Sequence, residues 1–218
     1  MKIFAISDIH GALRPIENAL SYIRDADLVT ISGDISKSGT KEDAAAVIET
    51  IESHNRNILA VHGNMDHQEV KELLEQKGYN LHADGKIVDG IGFFGVGGST
   101  KTPMSTRCEY SEEEIGVFID QGYNKIKEMR TAVLISHAPP YGTRDRSFFG
   151  LRGGSKRIAR FVREHAIRLC LVGHIHEANG VEKLDQTIVA NPGSFRRGRF
   201  LSVELGDEIH IEAGRIAS

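Results

Sequence analysis

The sequence predicts an α/β fold built on a largely parallel sheet, and three observations carry that expectation. Apolar runs at residues 3–6, 28–31, 58–61, 132–135 and 169–172 have the length and the Val, Ile and Leu content of strands buried on both faces. Helix-like stretches separate most of them. Each run leads into a short polar segment: Asp8-Ile9-His10, Gly33-Asp34, Gly63-Asn64, His137 and Gly173-His174-Ile175-His176. Ligands of open α/β sheets bind beyond the carboxyl ends of the strands, so these segments mark the expected site.

In chain order, helices are expected over about 13–24, 41–53, 67–77, 111–128 and 154–165. Pro15 falls near the start of the first, where its missing N–H is tolerated. Ser111 with Glu114, and Asp66 with Glu69, each form a capping box for the helix that follows. Asp89-Gly90 between Lys86-Ile87-Val88 and the run 91–96 marks a hairpin. The pattern then changes: 180–190 and 199–213 read as strand pairs, turning near Leu184-Asp185-Gln186 and Gly206-Asp207, and a second, partly antiparallel sheet is expected from them. The stretches 97–110 and 138–154, rich in Gly, Pro, Ser, Thr and charge, are surface connections or binding loops.

A chain of 218 residues buries enough surface for one core without staples, and a single domain over 1–218 is expected. The net charge of −3 gives no global pull toward nucleic acid or anionic membrane, so any basic substrate patch is local. Of two cysteines, Cys170 lies inside an apolar run and reads as a core residue, which suits a reducing cytoplasm. The amino terminus enters a strand directly and no apolar segment has membrane length, so neither export nor a membrane partner is expected.

The polar segments supply carboxylate, amide and imidazole groups, the set that binds hard or borderline divalent metals. If the strands continue through them, alternation places Asp8 and His10 on one side of the chain, and likewise His174 and His176. Gly33, Gly63 and Gly173 allow the sharp turns that project the next residue over the sheet edge. Taken singly, Asp34 as a turn cap, Asn64 in a left-handed bend and His137 as a satisfied core histidine are ordinary structural roles. The ordered combination is far more specific than any member.

With His137-Ala138-Pro139-Pro140 and Asn191-Pro192-Gly193-Ser194, these segments resemble, in order and spacing, the calcineurin-like metallophosphoesterase superfamily, and in particular its small prokaryotic phosphodiesterase-like members. The resemblance runs from Met1 to about Arg199. It implies a four-layer αββα sandwich, two mixed sheets flanked by helices. It implies two divalent ions, one held by Asp8, His10, Asp34 and His176, with Asp34 bridging to a second held by Asn64, His137 and His174. Hydrolysis of a small phosphate ester or nucleotide by a hydroxide shared between the ions, with no phosphoenzyme, would follow. Manganese is the first expectation, while iron, zinc, cobalt and nickel suit the same ligands.

One departure shapes the expected substrate. Many superfamily phosphatases carry a His directly after the Asn, as acid for the leaving group, and here that residue is Met65. Some small members lacking it act on phosphodiesters or activated esters, so a phosphodiesterase is favoured over a phosphomonoesterase. His67, two residues on, is a candidate replacement acid that also fits a solvent-facing place in the first helical turn. Arg144 and Arg146 are candidate substrate contacts, Arg157, Arg160 and Arg163 read as a solvated helix face, and Tyr141, Phe148 and Phe149 as core or lid packing with base stacking as the alternative. Two competing readings are an interaction scaffold resembling the retromer subunit of this fold and a nuclease resembling the double-strand-break repair members. Retention of all seven ligands speaks against the first, and Met65 with no capping domain against the second.

Overall fold

The apolar runs become strands, each stopping just before the polar segment that follows it. The computed structural model describes residues 1–217. Its first half comprises β1 (Lys2–Ile6), α1 (Leu13–Asn18), α2 (Leu20–Asp25), β2 (Leu28–Ser32), α3 (Lys41–Glu52), β3 (Ile58–Val61), α4 (Gln68–Gln76), β4 (Gly85–Val88) and β5 (Ile91–Val96). The remainder comprises β6 (Ser99–Thr100), β7 (Glu109–Tyr110), α5 (Glu112–Asn124), β8 (Ala132–Ser136), α6 (Lys156–Glu164), β9 (Ile167–Val172), β10 (Gly180–Leu184), β11 (Thr187–Asn191), β12 (Arg199–Leu205) and β13 (Ile209–Arg215).

The strands divide into two sheets, ordered β13-β12-β1-β2-β3 and β10-β11-β9-β8-β5-β4, with β6 and β7 as a separate short pair. β1, β2 and β3 run parallel in the first sheet, as do β5, β8, β9 and β11 in the second. The expected separate sheet at the end of the chain does not form. β11 instead pairs with β9, Val189 opposite Cys170, and β12 pairs with β1, Val203 opposite Ile3. Splitting the parallel strands between two sheets leaves β1 and β9 with open edges, and each hairpin covers one of them.

Packing gives four layers. Ile3, Ala5, Leu59 and Val61 of the first sheet meet Phe93, Val133, Ile135 and Leu171 of the second. Ile16, Ile23, Val47, Ile51 and Leu74 from α1 to α4 cover the outer face of the first, on Phe4, Ile6, Val29 and Ile31. Ile115, Ile119, Ile158 and Phe161 from α5 and α6 cover Phe94, Leu134 and Cys170 of the second. Burying each of the Val, Leu, Ile and Phe side chains contributes about 1.5–3 kcal/mol.

Local signals explain most boundaries. Ser111 and Glu114 form the reciprocal capping box of α5, and Asp89 and Gly90, at φ 48° and 76°, form the tight β4–β5 turn. The helix expected over 13–24 is broken at Ala19, whose N–H donates to Ile16 O at 2.9 Å in a tighter turn than an α-helix makes. Among the described residues no helix is long and apolar enough to cross a membrane.

Candidate metal centre

β1 ends at Ile6 and β9 at Val172, so strand alternation does not place the polar residues beyond them. They are placed by bends. Asp8, His10, Asp34 and His174 all adopt left-handed backbone, at φ 56°, 47°, 51° and 68°. Non-glycine residues hold that conformation only where surrounding bonds over-determine it. Here Asp8 N–H donates to Gly33 O at 3.0 Å, His10 N–H to Asp34 O at 2.9 Å and Gly11 N–H to Ile35 O at 2.9 Å, which ties the loop after β1 to the loop after β2.

The three glycines serve two different needs. Gly33 sits at φ 92°, as the turn argument expects. Gly63 and Gly173 do not, and are needed for space: a Cβ on Gly63 would overlap the Asp34 carboxylate, and one on Gly173 the Ser7 hydroxyl.

These bends bring the predicted ligands together. Ligand atoms of Asp8, His10 and His176 lie within 4.8 Å of one another, as do those of Asp8, Asp34 and His137. Asp34 points its two oxygens at opposite sides of the site, Oδ2 at His10 Nε2 (3.8 Å) and Oδ1 at His137 Nε2 (3.5 Å). Asn64 Oδ1 is 2.8 Å from His137 Nε2, and the His174 ring packs beside that of His137 at 5.1 Å between centroids, outside both groups. Asp8, His10, Asp34 and Asn64 follow strands of the first sheet, whereas His137, His174 and His176 follow strands of the second.

Two observations test whether this donor set fits cations. Asp8 Oδ2 is buried with no hydrogen-bond partner, although its twin Oδ1 meets His176 Nε2 at 3.0 Å. His137 Nδ1 lies 2.7 Å from Ser32 O, a carbonyl that can only accept, so the proton is on Nδ1 and Nε2 offers a lone pair. That lone pair faces Asn64 Oδ1 and Asp34 Oδ1, themselves lone-pair donors. Such an encounter is repulsive unless a positive charge, a proton or a metal ion, sits among the three. The residues fit divalent ions.

Electrostatics follow from burial. Burial lifts the Asp34 carboxyl to about 7 against the pull of His137, with Asp8 and Asp66 adding to the rise. Burial likewise holds His174 at about 3 and lowers His10. At Asp8 and His176 burial is outweighed by their mutual hydrogen bond and charge, so Asp8 lies below the usual carboxylate range and His176 above the usual histidine value.

Asp66 has a role that its sequence position hid. It does not cap α4, whose N-cap is His67 without a side-chain bond. Its buried carboxylate accepts from Gly63 N (2.8 Å), Ile35 N (3.1 Å), Ser36 N (3.0 Å) and Ser36 Oγ (2.6 Å). This clamps the loop of Asp34 to the loop of Asn64, and the demand for a side-chain acceptor among glycine-rich turns outcompetes capping. Asn191 and Ser194 do the same on the other side, Asn191 Nδ2 donating to Ile175 O (3.0 Å) and Ser194 Oγ to Asp8 O (3.1 Å).

The other candidates have different neighbours. His67 packs its ring against Gly39 and lines a cavity of about 390 Å³ with Arg107, Glu109 and Tyr110. Arg144 donates to Glu182 (2.9 Å) and to Asn179 O (3.3 Å), and Arg146 is exposed in the adjoining cavity of about 300 Å³. Phe148 and Phe149 are 82% and 85% exposed, so the core packing expected of them does not occur. They ride the tip of a short hairpin closed by Ser147 N–H to Leu151 O (2.9 Å), which carries them away from the body.

Comparison with known proteins identifies the family and the fold. Residues 1–205 match the model of the calcineurin-like phosphoesterase superfamily domain. The chain belongs to that superfamily. It is similar to an uncharacterised protein of Methanocaldococcus jannaschii, 36% identical over 201 residues and 88% of each chain. Its fold is that of the TT1561 protein of Thermus thermophilus (TM-score 0.78, 21% identity, 98% of each chain). It is also that of an archaeal phosphodiesterase (TM-score 0.56, 19% identity, 98% of this chain and 100% of the other).

Proposed function

We propose that this superfamily member is a metal-dependent phosphodiesterase, with Asp8, His10, Asp34 and His176 holding one divalent ion and Asp34, Asn64, His137 and His174 a second. The observation that carries this is the convergence of ligand atoms of Asp8, Asp34 and His137 within 4.8 Å of one another, with Asn64 Oδ1 at 2.8 Å from His137 Nε2 and Asp8 Oδ2 buried without a hydrogen-bond partner. When bound, the ions supply Lewis-acid activation of water and charge compensation for the phosphoryl group. Manganese is the expected pair, with iron, zinc, cobalt and nickel as alternatives.

The chain's own groups set the rest. Asp34, fixed by the Met65 N–H at 2.9 Å, faces both ion positions and must lose its proton before it can serve them. Met65, at the position where the acid of related phosphatases stands, offers no proton to a leaving oxygen. That oxygen departs as an anion, so esters of acidic alcohols and phenols react readily and poor leaving groups slowly. The fold shared with an archaeal phosphodiesterase supports diesters as the class. The inter-sheet core supports action as a single domain, and two buried free cysteines support a reducing cytoplasmic setting.

The test is a screen of aryl and alkyl phosphodiesters, cyclic nucleotides and phosphomonoesters after reconstitution with manganese. Aryl diesters are expected to react fastest, and the metal-stripped protein to be inactive. Two bound ions without hydrolysis of any ester would replace this reading with the scaffold, and faster turnover of monoesters would reverse the assigned class.

A further inference from the structure

The loop between β5 and α5 crosses from the second sheet to Asn64, which belongs to the first. It holds Asn64 at both ends. Arg107 N–H and Cys108 N–H donate to the Asn64 main-chain carbonyl at 3.0 and 3.1 Å, and Asn64 Nδ2 donates to Thr106 Oγ1 at 2.8 Å.

Thr106 cannot reverse that last bond. Its single hydroxyl proton goes to Glu109 Oε1 at 2.6 Å, and the same oxygen accepts Thr106 N–H and Thr102 Oγ1, each at 2.6 Å. Three donors on one carboxylate oxygen outweigh its burial and bring Glu109 down to about 2, so it is an acceptor at any physiological pH. Glu109 therefore orients the Thr106 hydroxyl, whose lone pair then accepts only the NH₂ side of the Asn64 amide. Oδ1 is left aimed at His137 Nε2. An amide is nearly symmetric in shape, and without this relay its NH₂ could turn to His137 Nε2 as a hydrogen-bond donor and close the ion position.

We infer that Thr106 and Glu109 are positioning residues of the centre, which lock the Asn64 side chain in its ligating orientation before any ion arrives. The inference rests on the proposed metal centre and adds a polarity lock supplied by a loop from the opposite sheet.

The test uses the full-length chain, stripped of metal, with Thr106→Val, Thr106→Ser and Glu109→Gln. Manganese titration followed by calorimetry and electron paramagnetic resonance counts ions and affinities. The Asn64 side-chain NH₂ signal in ¹H–¹⁵N spectra of the metal-free protein reads orientation without any ion. Wild type is expected to bind two ions. Thr106→Val should keep one at wild-type affinity and weaken the other about 10- to 100-fold, the range typical of lost outer-sphere support. The Asn64 NH₂ signal should move in Thr106→Val and Glu109→Gln and stay in place in Thr106→Ser, which also restores the second ion. If Thr106→Val and Glu109→Gln both keep the wild-type signal and affinities, or if Thr106→Ser binds as weakly as Thr106→Val, the lock is refuted while the centre stands. A wild-type protein that takes up no ion refutes the centre itself and this inference with it.

Discussion

The two sides of the site differ in charge. Around Asp8 the contacts are ionic: its carboxylate pairs with His176 at 3.0 Å, and each partner favours the other's charged form. Around Asn64 they are an amide oxygen, the His137 ring whose Nδ1 meets Ser32 O, and His174, kept uncharged by burial. An ion entering the first side must displace the His176 proton but gains a carboxylate. An ion entering the second would find His174 uncharged and depend for charge on Asp34 alone. On the proposed reading the two positions would therefore be unequal, one stronger and coupled to the His176 proton, the other weaker and dependent on a single shared residue.

The largest expected effect abolishes the comparison. Asp34→Asn removes the residue that faces both sides, and should cost the second ion and several kcal/mol of transition-state stabilisation, on the order of 10³-fold in kcat. Ion stoichiometry and aryl diester turnover measure it.

Asp66→Ala should next unlatch the Asn64 side from Asp34, leaving four buried donors without an acceptor. A loss of about 3 kcal/mol or more in urea denaturation of the metal-free protein is expected, whereas Asp66→Asn should lose less.

Acidity sharpens the contrast. Asp34 carries a proton up to about 7 in the folded chain and up to about 4 in the unfolded one. Its contribution to apo stability is thus fully present below about 4 and is lost as pH rises through 7. His174, held at about 3, acts in the opposite sense: its contribution is present above the ordinary histidine value and is lost as pH falls toward 3. Manganese uptake should release a proton from Asp34 at pH 6 and none from it at pH 8. Calorimetry in buffers of different ionisation enthalpy reads this difference.

The smallest effect is expected at His67→Ala. A residue that packs on Gly39 outside both ligand groups should change turnover equally for good and poor leaving groups, and well short of the roughly 100-fold that loss of a general acid brings. A selective loss on poor leaving groups would restore His67 as the acid.

The strands and the order of the ligands were legible because buried parallel strands are apolar throughout and the polar segments interrupt them. The means of convergence was not. Alternation along a continuing strand would put Asp8 and His10 on one side, yet left-handed bends secured by hydrogen bonds to the Asp34 loop do so, and those bonds join segments about 25 residues apart. The role of Asp66 is hidden for a related reason: Asp followed three residues later by Glu signals a helix start, and nothing local announces that Ile35 and Ser36 will compete for the carboxylate. Thr106 and Glu109 lie in a stretch without periodicity, where spacing carries no message. The sheet allocation of the final hairpins depends on which strand edges remain open, a property of the assembled fold.

The division of the ligands between layers has a mechanical consequence. Each proposed ion position would draw oxygen donors from one sheet and at least one imidazole from the other, so a bound cation would act as a bolt through the seam between them. Sliding or parting of the two layers, an early step available to any sandwich on heating, would tear donors from the ion. Loading should therefore slow unfolding of the whole molecule as well as raise its melting temperature with free ion concentration. The same atoms that prepare the chemistry would hold the halves of the enzyme in register.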